Sequence, residues 1–223
     1  MQFRTAIRSA TASIALAGIC AVAPALAQAP ASHQHAFTDA EKWAKSFDDP
    51  ARDAWQKPHE VIVALGLAPD AVVADIGSGT GYFAVRLAHF VPKGKVYGVD
   101  TEPEMVAHLA RRAKQMGLEN VTSLGATMQA PELPQKADLA LLVDVYHHIA
   151  ARPAYFRKLG ESLKPGGRIA IIDFNATSTV GPPVRERISA AQVKAEMQEA
   201  GYRLLSEPGF LPNQYFLIFA AAS

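Results

Sequence analysis

A chain of 223 residues, 49% of them hydrophobic, is long enough to bury one full core and has the apolar share of an ordinary globular domain. Its 22 basic and 21 acidic residues give a formal charge of +1, which excludes a general electrostatic attraction to nucleic acid or acidic lipid. One cysteine, Cys20, excludes a disulfide framework.

Residues 1–27 read as a secretory signal peptide. Arg4 and Arg8 give a positive start, Ala10 to Ala23 is an uncharged apolar run, and Ala25-Leu26-Ala27 has the small-x-small form of a cleavage site. The run is short against the roughly 20 residues that span a bilayer, so cleavage after Ala27 is expected rather than a retained anchor. Ile19 precedes Cys20 where a lipoprotein needs a small residue, and the two arginines are not adjacent as a twin-arginine route requires. The expected mature protein is exported, periplasmic, near neutral in charge, without a thiol and without membrane attachment.

Residues 28–57 read as a linker and N-terminal helical extension. Gln28 to Gln34 is Ala/Pro/Ser/His-rich, and His33 and His35 there read as solvated polar residues rather than metal ligands. Thr38 and Glu41 form a capping box for a helix carrying Trp43, Ala44 and Phe47. Asp48-Asp49-Pro50 breaks it, Arg52 to Trp55 makes another turn, and a helix from His59 to Leu65 stops at Gly66. Trp43 and Trp55 read as packing residues or as lid aromatics. The main domain is expected over 58–223.

Val72 to Leu87, VVADIGSGTGYFAVRL, reads strand, glycine turn, helix, with the helix from Tyr82 onward. Gly77, Gly79 and Gly81 permit backbone angles closed to other residues and clear side chains from a main chain that a ligand must approach. The spacing is not the dinucleotide Gly-x-Gly-x-x-Gly, since Tyr82 stands where the third glycine would fall. Lys95 to Asp100 is a second strand. Its terminal Asp100 can accept from both hydroxyls of a ribose or cap the next helix, for which Thr101 is an equal candidate. That helix runs from Pro103 to Met116, with Glu104, Arg111, Arg112 and Lys114 as a solvated face. Val121 to Gly125 is a strand, followed by a loop from Ala126 to Pro134. Ala137 to Val143 is a near-continuous apolar run, the mark of a central parallel strand, and Asp144, Tyr146, His147 and His148 stand at its carboxyl end. A helix from Arg152 to Leu163, a turn at Lys164 to Gly167 and a strand from Arg168 to Asp173 follow. The loop Ala176 to Val184 reads as mobile. Ser189 caps a helix to Ala200, and Tyr202 to Glu207 with Gln214 to Ala221 read as an antiparallel pair.

The Asp-x-Gly-x-Gly-x-Gly of residues 75–81, the acid at Asp100, the DVYHH segment and LKPGGRIAIIDF together resemble the class I S-adenosylmethionine-dependent methyltransferases, over roughly residues 58–221. The resemblance implies an α/β, Rossmann-like, doubly wound seven-stranded sheet, mostly parallel with a C-terminal antiparallel hairpin. It implies S-adenosylmethionine as cofactor, held by Asp75, Gly77, Gly79, Gly81, Asp100 and Asp144. Many relatives carry an acid at the position of Ala126, so the adenine contact passes to Thr127, Met128 or Gln129. It also implies an N-terminal extension folded over the cofactor. DVYHH would face the transferred methyl group, and it lacks the Asn/Asp-Pro-Pro-Tyr/Phe signature of base-modifying enzymes.

Methyl transfer from a sulfonium needs alignment above all, and a base only where the acceptor arrives protonated. His147 or His148 is the candidate base, and Tyr146 would orient the acceptor or cover the sulfonium. No metal is called for. The expected function is methyl transfer to a small molecule. The alternatives are a non-catalytic protein that binds S-adenosylmethionine or S-adenosylhomocysteine, and a protein methyltransferase acting on an exported protein.

Overall fold

A computed structural model describes Met1 and residues 39–222. The expected signal peptide, the linker with His33 and His35, and Thr38 lie outside the described residues. Among those described, no helix is long and apolar enough to cross a membrane.

Seven strands form one sheet: β1 (Val72–Ile76), β2 (Lys95–Asp100), β3 (Val121–Gly125), β4 (Ala137–Val143), β5 (Leu163–Phe174), β6 (Tyr202–Ser206) and β7 (Gln214–Ala221). Their order is β3-β2-β1-β4-β5-β7-β6. The first five are parallel, and β7 inserts antiparallel between β5 and β6. The expected mixed sheet with its terminal hairpin is the observed one. The order reverses between β1 and β4, which opens a crevice beyond their carboxyl ends.

The helices are α1 (Ala40–Phe47), α2 (Asp53–Gln56), α3 (Pro58–Leu65), α4 (Ala84–Phe90), α5 (Pro103–Gln115), α6 (Arg152–Gly160) and α7 (Ala190–Glu199). Strand side chains alternate between faces. Leu139, Leu141 and Val143 of β4 join the core beneath α3 and α4, with Val73, Leu87 and Ile62. Ala140 and Leu142 join the opposite core beneath α6 and α7, with Phe156, Leu159, Val193 and Met197. The central strands β1 and β4 are buried on both faces, which explains the unbroken apolar run of β4.

Several boundaries differ from expectation for local reasons. The side chain of Asp39 caps α1 by accepting from Lys42 N–H, while Glu41 pairs instead with His108 at 3.3 Å and Arg111 at 3.4 Å. Helix α4 begins at Ala84, because Tyr82 and Phe83 are taken up in the glycine turn. Lys164 to Gly167 do not interrupt β5. They are carried as an irregularity within it, with the register slipping between Ala137 and Leu139 and Gly166 at φ +78°. Nor is the segment after β5 a loose loop. Arg187 donates to the carbonyls of Pro182 (2.8 Å), Asn175 (2.9 Å), Ser178 (2.9 Å) and Val180 (3.1 Å), drawing it into a knot. Gly181 (φ +90°) closes that knot against Phe174, whose ring a Cβ would meet at 2.6 Å.

Candidate functional site

The glycine turn leaves β1 at the crevice. Gly77 (φ +69°), Gly79 (φ +53°) and Gly81 (φ +90°) all adopt left-handed backbone. A Cβ at Gly77 would sit 2.3 Å from Val145, and one at Gly81 2.3 Å from Leu109. The turn is therefore pressed between the segment after β4 and α5, as well as bent. Asp75 lies beneath it, 3% exposed, and accepts from the N–H of Ala84 at the start of α4. Burial, with Asp100 nearby, pushes its carboxyl up to about 7. Asp75 Oδ2, Ser78 Oγ and Thr80 Oγ1 are buried with no hydrogen-bond partner among the described residues. Orphaned buried polar atoms cost on the order of 1–3 kcal/mol each, so three around one turn mark it as built for something other than its own stability.

Main-chain donors hold Asp100 at the end of β2. Its Oδ2 accepts from Gly79 N–H at 2.7 Å, tying the turn to β2, and its Oδ1 accepts from Glu102 N–H at 3.0 Å, at the start of α5. The N–H of Thr101 also donates to it, so of a carboxylate's roughly four lone-pair sites about one remains for a ligand hydroxyl. Burial raises its carboxyl from the ordinary aspartate range. Beside it a cleft of about 710 Å³ opens between α5 and the loop after β3, lined among others by Thr101, Leu124, Ala126, Thr127 and Gln129. Thr127 accepts from Gln129 N–H, and Met128 is 47% exposed. Glycines a Cβ would jam, orphaned polar atoms, a strand-end acid with an acceptor site left and an adjoining cleft together fit the nucleoside cofactor that the sequence motifs imply.

Beyond β4, the chain makes a 3-10 turn from Tyr146 to His148, and its side chains diverge. His147 Nδ1 lies 2.8 Å from Asp173 Oδ2 and 3.0 Å from Oδ1, and its backbone N–H donates to the same carboxylate at 3.2 Å. Asp173, next to last in β5, is 1% exposed and also accepts from Phe174 N–H at 2.8 Å. Burial works against the imidazolium, but the Asp173 hydrogen bond and charge, with Asp144 and Glu186, outweigh it and raise the His147 pKa. The His148 ring lies 4.1 Å from that of His147. Asp144, at φ +59°, accepts from Arg52 at 3.3 Å and from Gln214 at 2.5 Å, and Gln214 accepts from Gln56 at 2.6 Å. Burial raises the Asp144 carboxyl, while Arg52 opposes the rise.

Tyr146 is not at the site. Its ring is fully buried, stacks on Phe156 at 5.4 Å, and its hydroxyl donates to Glu196, which Arg152 also holds. From the turn after β4 its side chain enters the face that α6 covers, so an expected substrate contact is a core brace. Tyr146→Phe should therefore lower unfolding stability by about 1 kcal/mol, read by denaturant titration, and leave cofactor affinity unchanged.

The extension packs over the turn. The Phe47 ring is 3.6 Å from where a Gly79 Cβ would stand, and Trp43 stacks on Phe47 at 5.3 Å. Arg112, read as solvated, instead joins Asp48 of the extension (2.7 Å) to the Thr80 carbonyl (3.0 Å). Tyr82 donates to Asp53, which Arg86 also holds at 3.1 Å. Trp55 meets Phe174 at 6.0 Å, so it packs at the carboxyl end of β5.

The structure thus brings together Asp75, Gly77, Gly79, Gly81, Asp100, Asp144 and His147, with Thr127 and Met128 on the outer loop. It adds Asp173, Arg52, Gln56 and Gln214, which the sequence reading had not assigned roles. Asp173 carried a signal, a lone acid ending an apolar strand. The other three carried none, because Gln56 and Gln214 stand 158 residues apart and Arg52 and Asp144 stand 92 apart.

Residues 67–208 match the family described as "Methyltransferase domain". Over 128 residues the chain is 31% identical to protein-L-isoaspartate O-methyltransferase from Pyrococcus horikoshii, covering 55% of this chain and 54% of that protein. Over 121 residues it is 32% identical to demethylmenaquinone methyltransferase from Thermus thermophilus, covering 54% of each. The matches span about half the length of these curated relatives. The crystal structure of a SAM dependent methyltransferase from Aquifex aeolicus superposes with a TM-score of 0.75 at 27% identity, covering 81% of this chain and 97% of that one.

Proposed function

The chain belongs to the methyltransferase-domain family, and from that premise we propose that it transfers a methyl group from S-adenosylmethionine to a small molecule. The observation that carries this is the juxtaposition at the crevice: a glycine turn with unpartnered buried acceptors on β1, and a His–Asp pair at the ends of β4 and β5. The cofactor supplies an electrophilic methyl on a sulfonium, whose departure as a neutral thioether needs no acid. Gly77 and Gly79 present bare main chain to its methionyl part. Asp75, poised near neutrality, ionises beside a cation. Asp100 accepts from the ribose, and Thr127 and Met128 border the adenine. His147, its Nδ1 hydrogen held by Asp173, keeps Nε2 as the basic nitrogen for an acceptor proton. The Arg187 knot and Trp55 confine the acceptor side, which supports a small substrate over a protein one.

A second reading, methylation of an exported protein, is supported by the similarity to the isoaspartate enzyme of P. horikoshii. A third, binding without turnover, follows from the proposal that the chain is exported away from where the cofactor is made. We propose that export on residues 1–27, with Gln28 as the mature N-terminus.

The test is incubation with methyl-labelled S-adenosylmethionine and fractionated periplasmic extract. Label should be retained by the protein at equilibrium and should appear in a product of low mass. Label in a polypeptide would favour the second reading, and retained label without product the third. Absence of binding would remove all three.

A further inference from the structure

We propose that Arg52 is a cofactor-binding residue: a cationic seat, supplied by the N-terminal extension, for the carboxylate of the methionyl part of S-adenosylmethionine. The inference rests on the reading above that the glycine turn takes this cofactor.

The place of Arg52 carries it. Its guanidinium lies 4.2 Å from the ring centroid of Tyr82, the residue directly after Gly81, and 5.8 Å from that of Trp55. Its Nη2 reaches Asp144 Oδ2 at 3.3 Å, and its charge also favours the ionised form of Asp75. One cation thus addresses the acids at the ends of both strands that flank the crevice. The side chain is 14% exposed, neither sealed in the core nor loose on the surface. Arginine has five N–H donors. Nε and Nη2 donate to Gln56 Oε1 (3.3 and 3.0 Å), Nη1 to the Phe47 carbonyl (3.0 Å), and Nη2 to Asp144. The second Nη1 hydrogen has no acceptor among the described residues.

The ligand's charges ask for such a residue. Its methionyl part carries an ammonium and a carboxylate beside the sulfonium. Asp75, Asp100 and Asp144 suit the cations and repel the carboxylate. Arg86 and Arg112 are engaged elsewhere, with Asp53 and with Asp48 and the Thr80 carbonyl. Arg52 is the cation placed to offset that repulsion, and its remaining Nη1 hydrogen can make a charge-assisted bond to the carboxylate.

The rival role is a brace, since Arg52 also ties down Phe47 and Gln56. Calorimetric titration of the purified protein with S-adenosylmethionine and with its decarboxylated form, which lacks only the carboxylate, separates the two. Wild type should bind the carboxylated form roughly 10- to 100-fold more tightly, the usual range for a charge-assisted contact. Arg52→Gln should remove that preference, weakening the carboxylated ligand by the same factor and leaving the decarboxylated one within about 3-fold. Arg52→Lys should retain part of the preference. Equal weakening of both ligands in Arg52→Gln would show a brace and overturn the assignment. So would a wild type that does not discriminate, a measurement that needs no variant to fold. Wild-type protein that binds neither ligand overturns the cofactor reading itself, and Arg52 with it.

Discussion

Gly77→Val should abolish cofactor affinity while leaving a folded protein. Two costs coincide at this position. A β-branched residue at φ +69° is strained by on the order of 1–2 kcal/mol, because its Cβ crowds the carbonyl. The new Cβ also stands 2.3 Å from Val145 Cγ2 and 3.0 Å from Cγ1. Val145 is β-branched and stiff at χ1, so the strand end rather than its rotamer must give way. What moves is the segment holding Asp144, Tyr146 and His147, the far wall of the crevice. Overpacking of this kind costs about 1–3 kcal/mol. If the two costs fall on the ligand-ready geometry, affinity for S-adenosylhomocysteine drops by roughly 100-fold or more. Gly66→Ala is the control: φ +56°, no atom within 4 Å of the added Cβ, and a site at the end of α3. It carries a comparable backbone cost without the collision, so it should lower thermal stability by a few degrees, roughly 1 kcal/mol, and leave affinity alone. If Gly77→Val bound as wild type does, the turn would not be the cradle.

His147→Ala should lower kcat by about 100- to 10,000-fold, the range for loss of a general base, with little change in cofactor affinity. Asp173→Asn should fall between that and wild type, and should also move the pH profile. His147 works as a base only when neutral, so kcat/KM falls as pH drops through its pKa. Asp173 is the principal partner raising that pKa. Its replacement lets the value fall, and the acid limb shifts to lower pH. The plateau falls as well, because an asparagine no longer holds the Nδ1 hydrogen against a charge. Stability runs the opposite way with pH. A histidine whose folded pKa lies above its free value contributes stability that is fully present below about pH 6.5 and is lost as pH rises through the folded value. Asp173→Asn should therefore destabilise most in acid. Unchanged turnover in His147→Ala would leave this pair as a structural tie between β4 and β5.

Much of this site was legible because its parts are local. A strand, three glycines and a helix start follow one another in sixteen residues, and each has a conformational reason written in its own side chain. Asp100 announced itself by ending a strand. His147 and Tyr146 show where that legibility stops. Both follow the same strand, and both are residue types that suit a methyl-transfer site. One turns to Asp173 and the other into the core against Phe156, because neighbouring positions in a tight turn point apart and the helix above settles which side is buried. Arg112 was misread for a related reason. Its charge marks a helix face that would be solvated on an isolated α5, but the extension lies across that face and brings Asp48 to it.

The sequence alone determined the sheet, through apolar runs buried on two faces and a final antiparallel pair, and it determined the glycine turn and its flanking acids, because backbone conformation and strand ends depend on near neighbours. Only the folded chain decided which charges meet. Arg52 reaches Asp144 across 92 positions and Gln56 reaches Gln214 across 158, and nothing in either residue's surroundings along the chain names its partner. A buried polar side chain must be satisfied by whatever the topology brings within 3 Å, so its partner is a property of the packing and not of the local sequence.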